Sequence, residues 1–313
     1  MNILLIGGCG YIGSYLYSFL KERYSSFNIN TVDLEWFGNF INEDNIIIDY
    51  KYLSKKFINK YDVVILLAGH SSVKMSQNNM CSVVKNNVFN FVSLLEKINK
   101  NQIFIYASSS SVYGDTKQNI VNEDFISFEP NNCYDLSKYE IDCYAKLSNK
   151  NYFGLRFGTV NGFSLNFRND IMINAMTYNA IKNKEVFCFN PEIHRPILGI
   201  HDLCRSIECI IFKSKFKDRG FYNLCSFNST AKEISKSVAD YLAVPLNIIE
   251  EIPQNITNIK LQSKVYNFMI DSSKFEKTFN FSFEQDVNSI VFSILSNFSK
   301  MNKDNRSNAQ IYN

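Results

Sequence analysis

The sequence predicts a doubly wound α/β fold, a parallel sheet covered by helices on both faces, with a smaller lobe interleaved with it. Three observations carry that prediction. Short apolar runs alternate with amphipathic stretches up to Leu155, and the first run ends in a glycine-rich turn. After Arg156 the alternation loosens, and no Pro/Gly-rich linker marks a clean boundary. A second unit without a linker is expected to fold back onto the first rather than follow it.

The elements follow in order. Residues 3–6, 29–32, 46–48, 63–67, 103–106 and 152–155 read as strands, being short, β-branched and close to continuously apolar. Strands buried on both faces have that composition. Residues 11–23, 51–58, 79–98 and 134–147 have helical periodicity, and strand–helix alternation gives a parallel sheet. Further on, 170–182, 202–212, 230–242 and 283–298 read as helices, and 196–200 and 220–224 as strands. Thr230 with Glu233 three residues later is a capping-box signature. Residues 301–313 are polar and aperiodic, as a frayed tail would be. The expected division is a Rossmann-type domain over 1–160, a lobe over 161–300 that partly returns to the first sheet, and the tail.

Composition narrows the function. With 46% apolar and 20% charged residues, the 313-residue chain has the balance of a soluble globular protein. Its net charge of +3 is small and dispersed, so no nucleic-acid partner is expected. No apolar run approaches the roughly 18 residues that span a bilayer, and the N-terminus lacks the pattern of a secretory signal. A cytoplasmic location is expected, with no membrane partner. The eight cysteines lack C-x-x-C spacing and read as buried free thiols. His70, His194 and His201 are too dispersed to predict a metal site. Asn228-Ser229-Thr230 reads as a loop and helix cap, and Trp36 and the other aromatic residues as core.

Gly7-Gly8-Cys9-Gly10-Tyr11-Ile12-Gly13 joins the first strand to the first helix. A tight turn, close approach of backbone to a pyrophosphate and close helix–strand packing each need a missing side chain, and a helix N-terminus favours an anion. Asp33 ends the second strand, where a carboxylate can accept from both adenosine-ribose hydroxyls and repel a 2′-phosphate. No Lys or Arg lies in the glycine loop or just after Asp33, so NAD is favoured over NADP. Asp49, ending the third strand, is placed for the adenine amine. Leu67-Ala68-Gly69 offers small residues where a cofactor would cross the sheet edge.

The fifth strand runs into Ser108-Ser109-Ser110-Ser111-Val112-Tyr113-Gly114, at the edge where ligands of open α/β sheets bind. Further on, Tyr134 and Lys138 stand at i and i+4, on one helix face. A free phenol titrates near pH 10, too high for a neutral-pH base, and a nearby ammonium lowers that value. A serine hydroxyl can share a hydrogen bond with the substrate oxygen and Tyr134, and Lys138 can hold the nicotinamide ribose. His70 could lie near the nicotinamide or be a satisfied loop histidine.

These motifs resemble the extended short-chain dehydrogenase/reductase superfamily. Within it, the chain is similar to the NAD-dependent nucleotide-sugar epimerase/dehydratase family, of which UDP-galactose 4-epimerase is a familiar member. Asn87-Val88 resembles the family's Asn-Val-x-Gly-Thr, which implies a cofactor contact for Asn87. Leu155-Arg156-Phe157 and the segment from His194-Arg195-Pro196 to His201-Asp202-Leu203 match two further family motifs. The resemblance implies Ser109 in the catalytic serine position, Tyr134 as base, Lys138 as its partner and Arg195 as a binder of the substrate diphosphate. It also implies a homodimer joined by two helices from each subunit.

The departures count as much. Ser109-Ser110-Ser111 stands where family dehydratases have Thr-Asp-Glu, so loss of water from the sugar lacks its acid pair. Thr159 replaces a substrate-binding Asn. Asp135 replaces a glycine, placing a carboxylate beside the base. Arg168 could reach phosphates or form a surface salt bridge. The expected function is a nucleotide-sugar 4-epimerase: Tyr134 takes a hydroxyl proton as hydride passes to NAD, the 4-keto sugar rotates, and hydride returns. A 4-keto-sugar reductase or sugar dehydrogenase with exchangeable cofactor is the alternative, and a non-catalytic NAD-binding protein a third.

Overall fold

A seven-stranded parallel sheet organises the molecule, in the order Gly220–Leu224, Tyr152–Phe157, Ile103–Ala107, Val63–Leu66, Asn2–Ile6, Asn28–Val32, Asn45–Ile46. It is described from a computed structural model covering residues 1–41, 45–77, 79–117, 119–126, 129–249 and 266–301. The strand order reverses about Asn2–Ile6, which opens a crevice at the carboxyl edge between that strand and Val63–Leu66.

Alternate residues of these strands feed two cores. Ile3, Leu5, Ile65, Ile105 and Phe153 face Leu16 and Leu20 of the helix Tyr11–Arg23 and Leu203, Ile207 and Ile210 of Ile200–Lys213. Leu4, Ile6, Val64, Phe104 and Tyr106 face Phe91 and Leu94 on one helix and Ile141 and Ala145 on Cys133–Leu147. Side chains pointing to opposite faces at a period of two make one strand serve both cores. The apolar runs at residues 3–6, 63–67 and 103–106 therefore lack alternation.

After Phe157 the chain leaves this sheet for Thr159–Asn161, which pairs with His194–Gly199, itself paired with Phe227–Thr230. It returns at Gly220–Leu224 to extend the first sheet beside Tyr152–Phe157. A third core, with Ile173, Val238 and Ile294, lies among the helices Met172–Asn183, Ala231–Leu242 and Val287–Ser296. Met301, expected to open the tail, is buried in it; residues 302–313 lie outside the described residues.

Several elements differ from expectation, for local reasons. The strand expected at 46–48 shortens to Asn45–Ile46, an outer strand with Ile47 exposed. The helix expected over 51–58 splits, because the Asp49 carboxylate caps a short 3-10 turn and the Ser54 hydroxyl starts a separate helix, Lys55–Ile58. The helix expected over 79–98 runs from Met80 to Lys97 with a π-helical stretch, Val84–Phe89, inside it. Asn228-Ser229-Thr230 lies in a strand, and only Thr230 acts as the cap, with the expected capping box to Glu233. Cys81 and Cys143 are exposed rather than buried. Among the described residues no helix is long and apolar enough to cross a membrane, and no group of three or more His, Cys, Asp or Glu is arranged to hold a metal ion.

Candidate active site

A cleft of about 420 Å³ opens at the carboxyl edge of the sheet, over the point where the strand order reverses. At one end lies the glycine loop. Gly7 has φ +92°, and a Cβ on it would come within 2.5 Å of the Ala68 amide nitrogen. A Cβ on Gly13 would collide with the Gly7 carbonyl oxygen. The loop thus packs backbone against backbone and leaves its outer side bare. Helix Tyr11–Arg23 begins at Gly10, which has no side chain to cap it, so the helix N-terminus adjoins the loop. That cradle fits a pyrophosphate.

Gly7, Gly10, Tyr11, Ile12, Gly13, Asp33, Asp49, Leu67, Ala68 and Gly69 all line the cleft. Asp33 accepts from the Cys9 and Glu35 amides, at 3.0 and 2.8 Å, which fixes its carboxylate toward the loop. Burial raises its pKa, and those amides oppose the rise. Asp49 is already engaged, with Lys51 Nζ at 2.8 Å and Asn90 Nδ2 at 3.4 Å. Trp36 is not core: it lines the cleft with Phe37 and stands edge-on to His70, ring centroids 6.0 Å apart.

Asn87 is placed differently from the expectation. It is not part of the cleft wall; it is buried behind it, accepting from the His70 amide at 2.8 Å and donating to Ser137 Oγ at 3.0 Å. It positions the loop after Gly69, whose missing Cβ leaves room for the Asn87 side-chain oxygen. His70 lines the cleft, its Nε2 3.3 Å from Ser82 Oγ and its buried Nδ1 without a hydrogen bond. Burial and the Lys138 charge lower its pKa, which favours the neutral ring.

Ser109, Tyr134 and Lys138 meet at the other end. The helix Cys133–Leu147, capped by the Asn132 side chain on the Asp135 amide, presents Tyr134 and Lys138 on one face. Lys138 Nζ lies 5.8 Å from the Tyr134 ring centroid and donates to the Ala107 carbonyl at 2.8 Å. Burial pulls its pKa down to about 8, against the Asp142 charge. Tyr134 departs from the expected lowering. Burial raises its phenol pKa and Asp135 adds to that, while the Ser109 hydroxyl and Arg168 charge oppose it.

Beneath Ser109 lies a buried charge network that sequence reasoning missed. Asp142 accepts from Tyr106, Ser108 and Arg156 at 2.9, 3.0 and 2.9 Å, and Arg156 donates to the Tyr113 hydroxyl at 2.8 Å. It ties the serine loop to the next strand and helix. The sequence signal was Arg156, an arginine directly after the apolar run at 152–155.

Thr159, in the strand Thr159–Asn161, and Arg168 beyond it also line the cleft. Arg168 also grips Asp170 with two hydrogen bonds, at 2.9 and 2.7 Å, so it is both an ion-pair partner and a wall residue. Arg195 is not part of the cleft wall. Its guanidinium donates to the His194 and Tyr266 carbonyls and stacks on Phe268, which does line the cleft. Burial lowers its pKa to about 10. Asn166 was also missed: fully buried, it donates from 157 residues away to the Cys9 carbonyl at 2.7 Å. Tyr11 OH donates to the Gly162 carbonyl, and Ser164 Oγ to the Tyr11 carbonyl, at 2.8 and 2.7 Å.

Known proteins resemble the chain in sequence and in fold. The model of the NAD dependent epimerase/dehydratase family matches residues 3–225, more than half of the chain. The chain is 30% identical over 245 residues to UDP-glucose 4-epimerase of Mycoplasma genitalium, a match covering 66% of this chain and 69% of that protein. In fold it is similar to UDP-glucose 4-epimerase of Thermotoga maritima solved with UDP-glucose, with a TM-score of 0.81, 20% identity and coverage of 96% and 99% of the two chains. It is also similar to UDP-glucuronic acid 4-epimerase of Bacillus cereus solved with UDP-glucuronic acid and NAD, with a TM-score of 0.77, 21% identity and coverage of 96% and 99%.

Proposed function

The chain belongs to the NAD-dependent epimerase/dehydratase family, and on that premise we propose that it is a nucleotide-sugar 4-epimerase acting on a UDP-hexose. One observation carries the reading: Ser109, Tyr134 and Lys138 face the same cleft as the glycine loop and Asp33. NAD is the cofactor, and when bound it supplies the acceptor and donor of the hydride.

The chain's own residues bind, orient and move a proton. The bare glycine loop and the first amides of the helix after Gly10 hold the pyrophosphate, and Asp33 accepts from the adenosine ribose. Tyr134 takes the proton of the sugar hydroxyl and later returns it, with Ser109 sharing a hydrogen bond with the same oxygen. The Lys138 ammonium, held by the Ala107 carbonyl, favours the phenolate. Thr159 and Arg168 face the sugar, and Arg195 sits one aromatic ring behind the wall as the diphosphate-side cation. The names of the relatives support UDP as the nucleotide. The serine run supports epimerase over dehydratase, because Ser110 and Ser111 supply no acid pair.

Retention of NAD tests the reading. Mass spectrometry on the denatured, freshly purified protein is expected to find stoichiometric NAD, and NMR is expected to find the 4-epimer of UDP-glucose or UDP-glucuronate without added cofactor. An empty protein that consumes NADH on a 4-keto sugar would instead make it a reductase. A homodimer in the cytoplasm completes the proposal. Phe89 and Leu147, 67% and 82% exposed, stand on the two helices that would pair. A monomer by light scattering would remove that part alone.

A further inference from the structure

A buried carboxylate stands where the family motif has a glycine, and the proposed reaction gives it no task. Asp135 is 0% exposed, and its Oδ2 accepts from Asn132 Nδ2 at 2.6 Å and from the Tyr266 hydroxyl at 3.0 Å. Taking a carboxylate out of water is costly unless hydrogen bonds replace the solvent, so its two donors show what it is for. The Asn132 bond belongs to the helix itself, since that side chain already caps Cys133–Leu147 on the Asp135 amide. The Tyr266 bond spans 131 residues of sequence and leads to the cleft.

Tyr266 is held at both ends. Its hydroxyl accepts from the Asn131 amide at 3.2 Å while donating to Asp135, so the phenol is tied to the start of the helix that carries Tyr134 and Lys138. Its carbonyl accepts from Arg195 Nη1, and the side-chain oxygen of the next residue, Asn267, accepts from the His194 amide at 3.0 Å. Phe268 stands edge-on to the Tyr266 ring, centroids 6.4 Å apart, and forms part of the cleft wall. The Arg195 guanidinium lies 5.6 Å from the Phe268 centroid. Contacts therefore run unbroken from Asp135 through Tyr266 to Phe268 in the wall and Arg195 behind it.

We propose that Asp135 is a positioning residue for the sugar nucleotide: by anchoring the Tyr266 hydroxyl to the helix that bears the base, it sets Phe268 and Arg195 in place relative to Tyr134. This rests on the reading of the cleft as a nucleotide-sugar site. A glycine at 135 would offer the phenol no acceptor, whereas a carboxylate offers a charged one, which makes the stronger hydrogen bond. Asp135 also lies in the first turn of its helix, where a negative charge stabilises the helix dipole. A role confined to helix stability would not pass through Tyr266, and the hydroxyl separates the two.

Calorimetric titration of the NAD-loaded protein with UDP reads the effect without turnover. Tyr266→Phe removes one oxygen outside the helix and is expected to weaken UDP about 3- to 10-fold, the worth of one hydrogen bond. KM for the sugar nucleotide should rise by a like factor with kcat little changed. Asp135→Ala is expected to weaken UDP at least as far, and Asp135→Asn to recover most of that loss because its amide oxygen still accepts. The double variant Asp135→Ala/Tyr266→Phe is expected to lose no more than Asp135→Ala alone. Tyr266→Phe decides the matter if Asp135→Ala fails to fold. Unchanged UDP affinity in folded Tyr266→Phe, or losses that add in full, overturns the proposal. A wild type that binds UDP, shows these losses in its variants and epimerises no sugar keeps the positioning role and removes the epimerase reading. Absence of UDP binding by wild type overturns both.

Discussion

The two ends of the cleft are built by opposite means. The nucleotide end is made of backbone and missing side chains: Gly7 and Gly13 are packed so closely that a methyl group has nowhere to go. The reacting end is made of side chains that reach one another across elements, with Ser109 from a strand end, Tyr134 and Lys138 from a helix and Arg168 from the second lobe. Shape therefore fails first at one end and chemistry at the other. An added atom destroys the first, whereas the second can lose a single atom and keep its form.

Tyr134→Phe tests that separation most severely. Removing one oxygen should lower kcat by about 10²- to 10⁴-fold while the denatured variant still releases its full complement of NAD. Loss of the cofactor as well would show that the two ends are not independent. Gly13→Ala is the converse and a smaller change. It adds one carbon far from the phenol, and overpacking against the Gly7 carbonyl should cost about 1–3 kcal/mol in thermal or denaturant unfolding, with NAD lost from the purified protein. Wild-type melting and retained NAD would break the comparison at its nucleotide end.

The smallest effect sharpens the reacting end. The Lys138 pKa lies near 8 rather than 10.5, so its charge and its help to the phenolate fade as pH rises through 8. A pH profile of kcat/KM should show that alkaline fall, and Lys138→Arg should remove it because guanidinium keeps its charge. The sign for stability is opposite. Between about 8 and 10.5 the folded chain holds fewer protons at this site than the unfolded chain, so the cofactor-free protein should gain stability with pH there. Chemical denaturation of wild type and Lys138→Met across that window checks it: the variant should lack the gain.

The nucleotide end was legible in the sequence because its determinants are local. A strand, a glycine turn and a helix occupy residues 2–23, and the helix Tyr11–Arg23 and strand Gly220–Leu224 fall where periodicity put them. Tyr134 and Lys138 were legible for the same reason, since i and i+4 fix a shared face. What was hidden depends on pairs distant in sequence. Nothing near Asn166 announces that its amide will donate to Cys9. Nor does Leu34-Glu35-Trp36 show that the indole turns into the cleft rather than the core. Asn87 and Arg195 were assigned by motif to ligand contact, and the structure puts both behind the wall. Motif position specifies a place on the backbone, and the last few ångströms depend on neighbours such as Ser137 and Phe268.

The stretch from Gly162 to Asn174 fastens the second lobe directly to the glycine loop. Tyr11, Ser14 and Cys9 on one side bond Gly162, Ser164, Asn166 and Asn174 on the other. Whatever binds the loop therefore also acts on the lobe. By thermodynamic reciprocity, a sugar nucleotide bound against that stretch must change the hold on the cofactor by the same factor by which the cofactor changes the hold on the sugar. A catalyst that hands a hydride out and takes it back needs its two ligands to stay together through the exchange, and this fastening makes each the other's retainer.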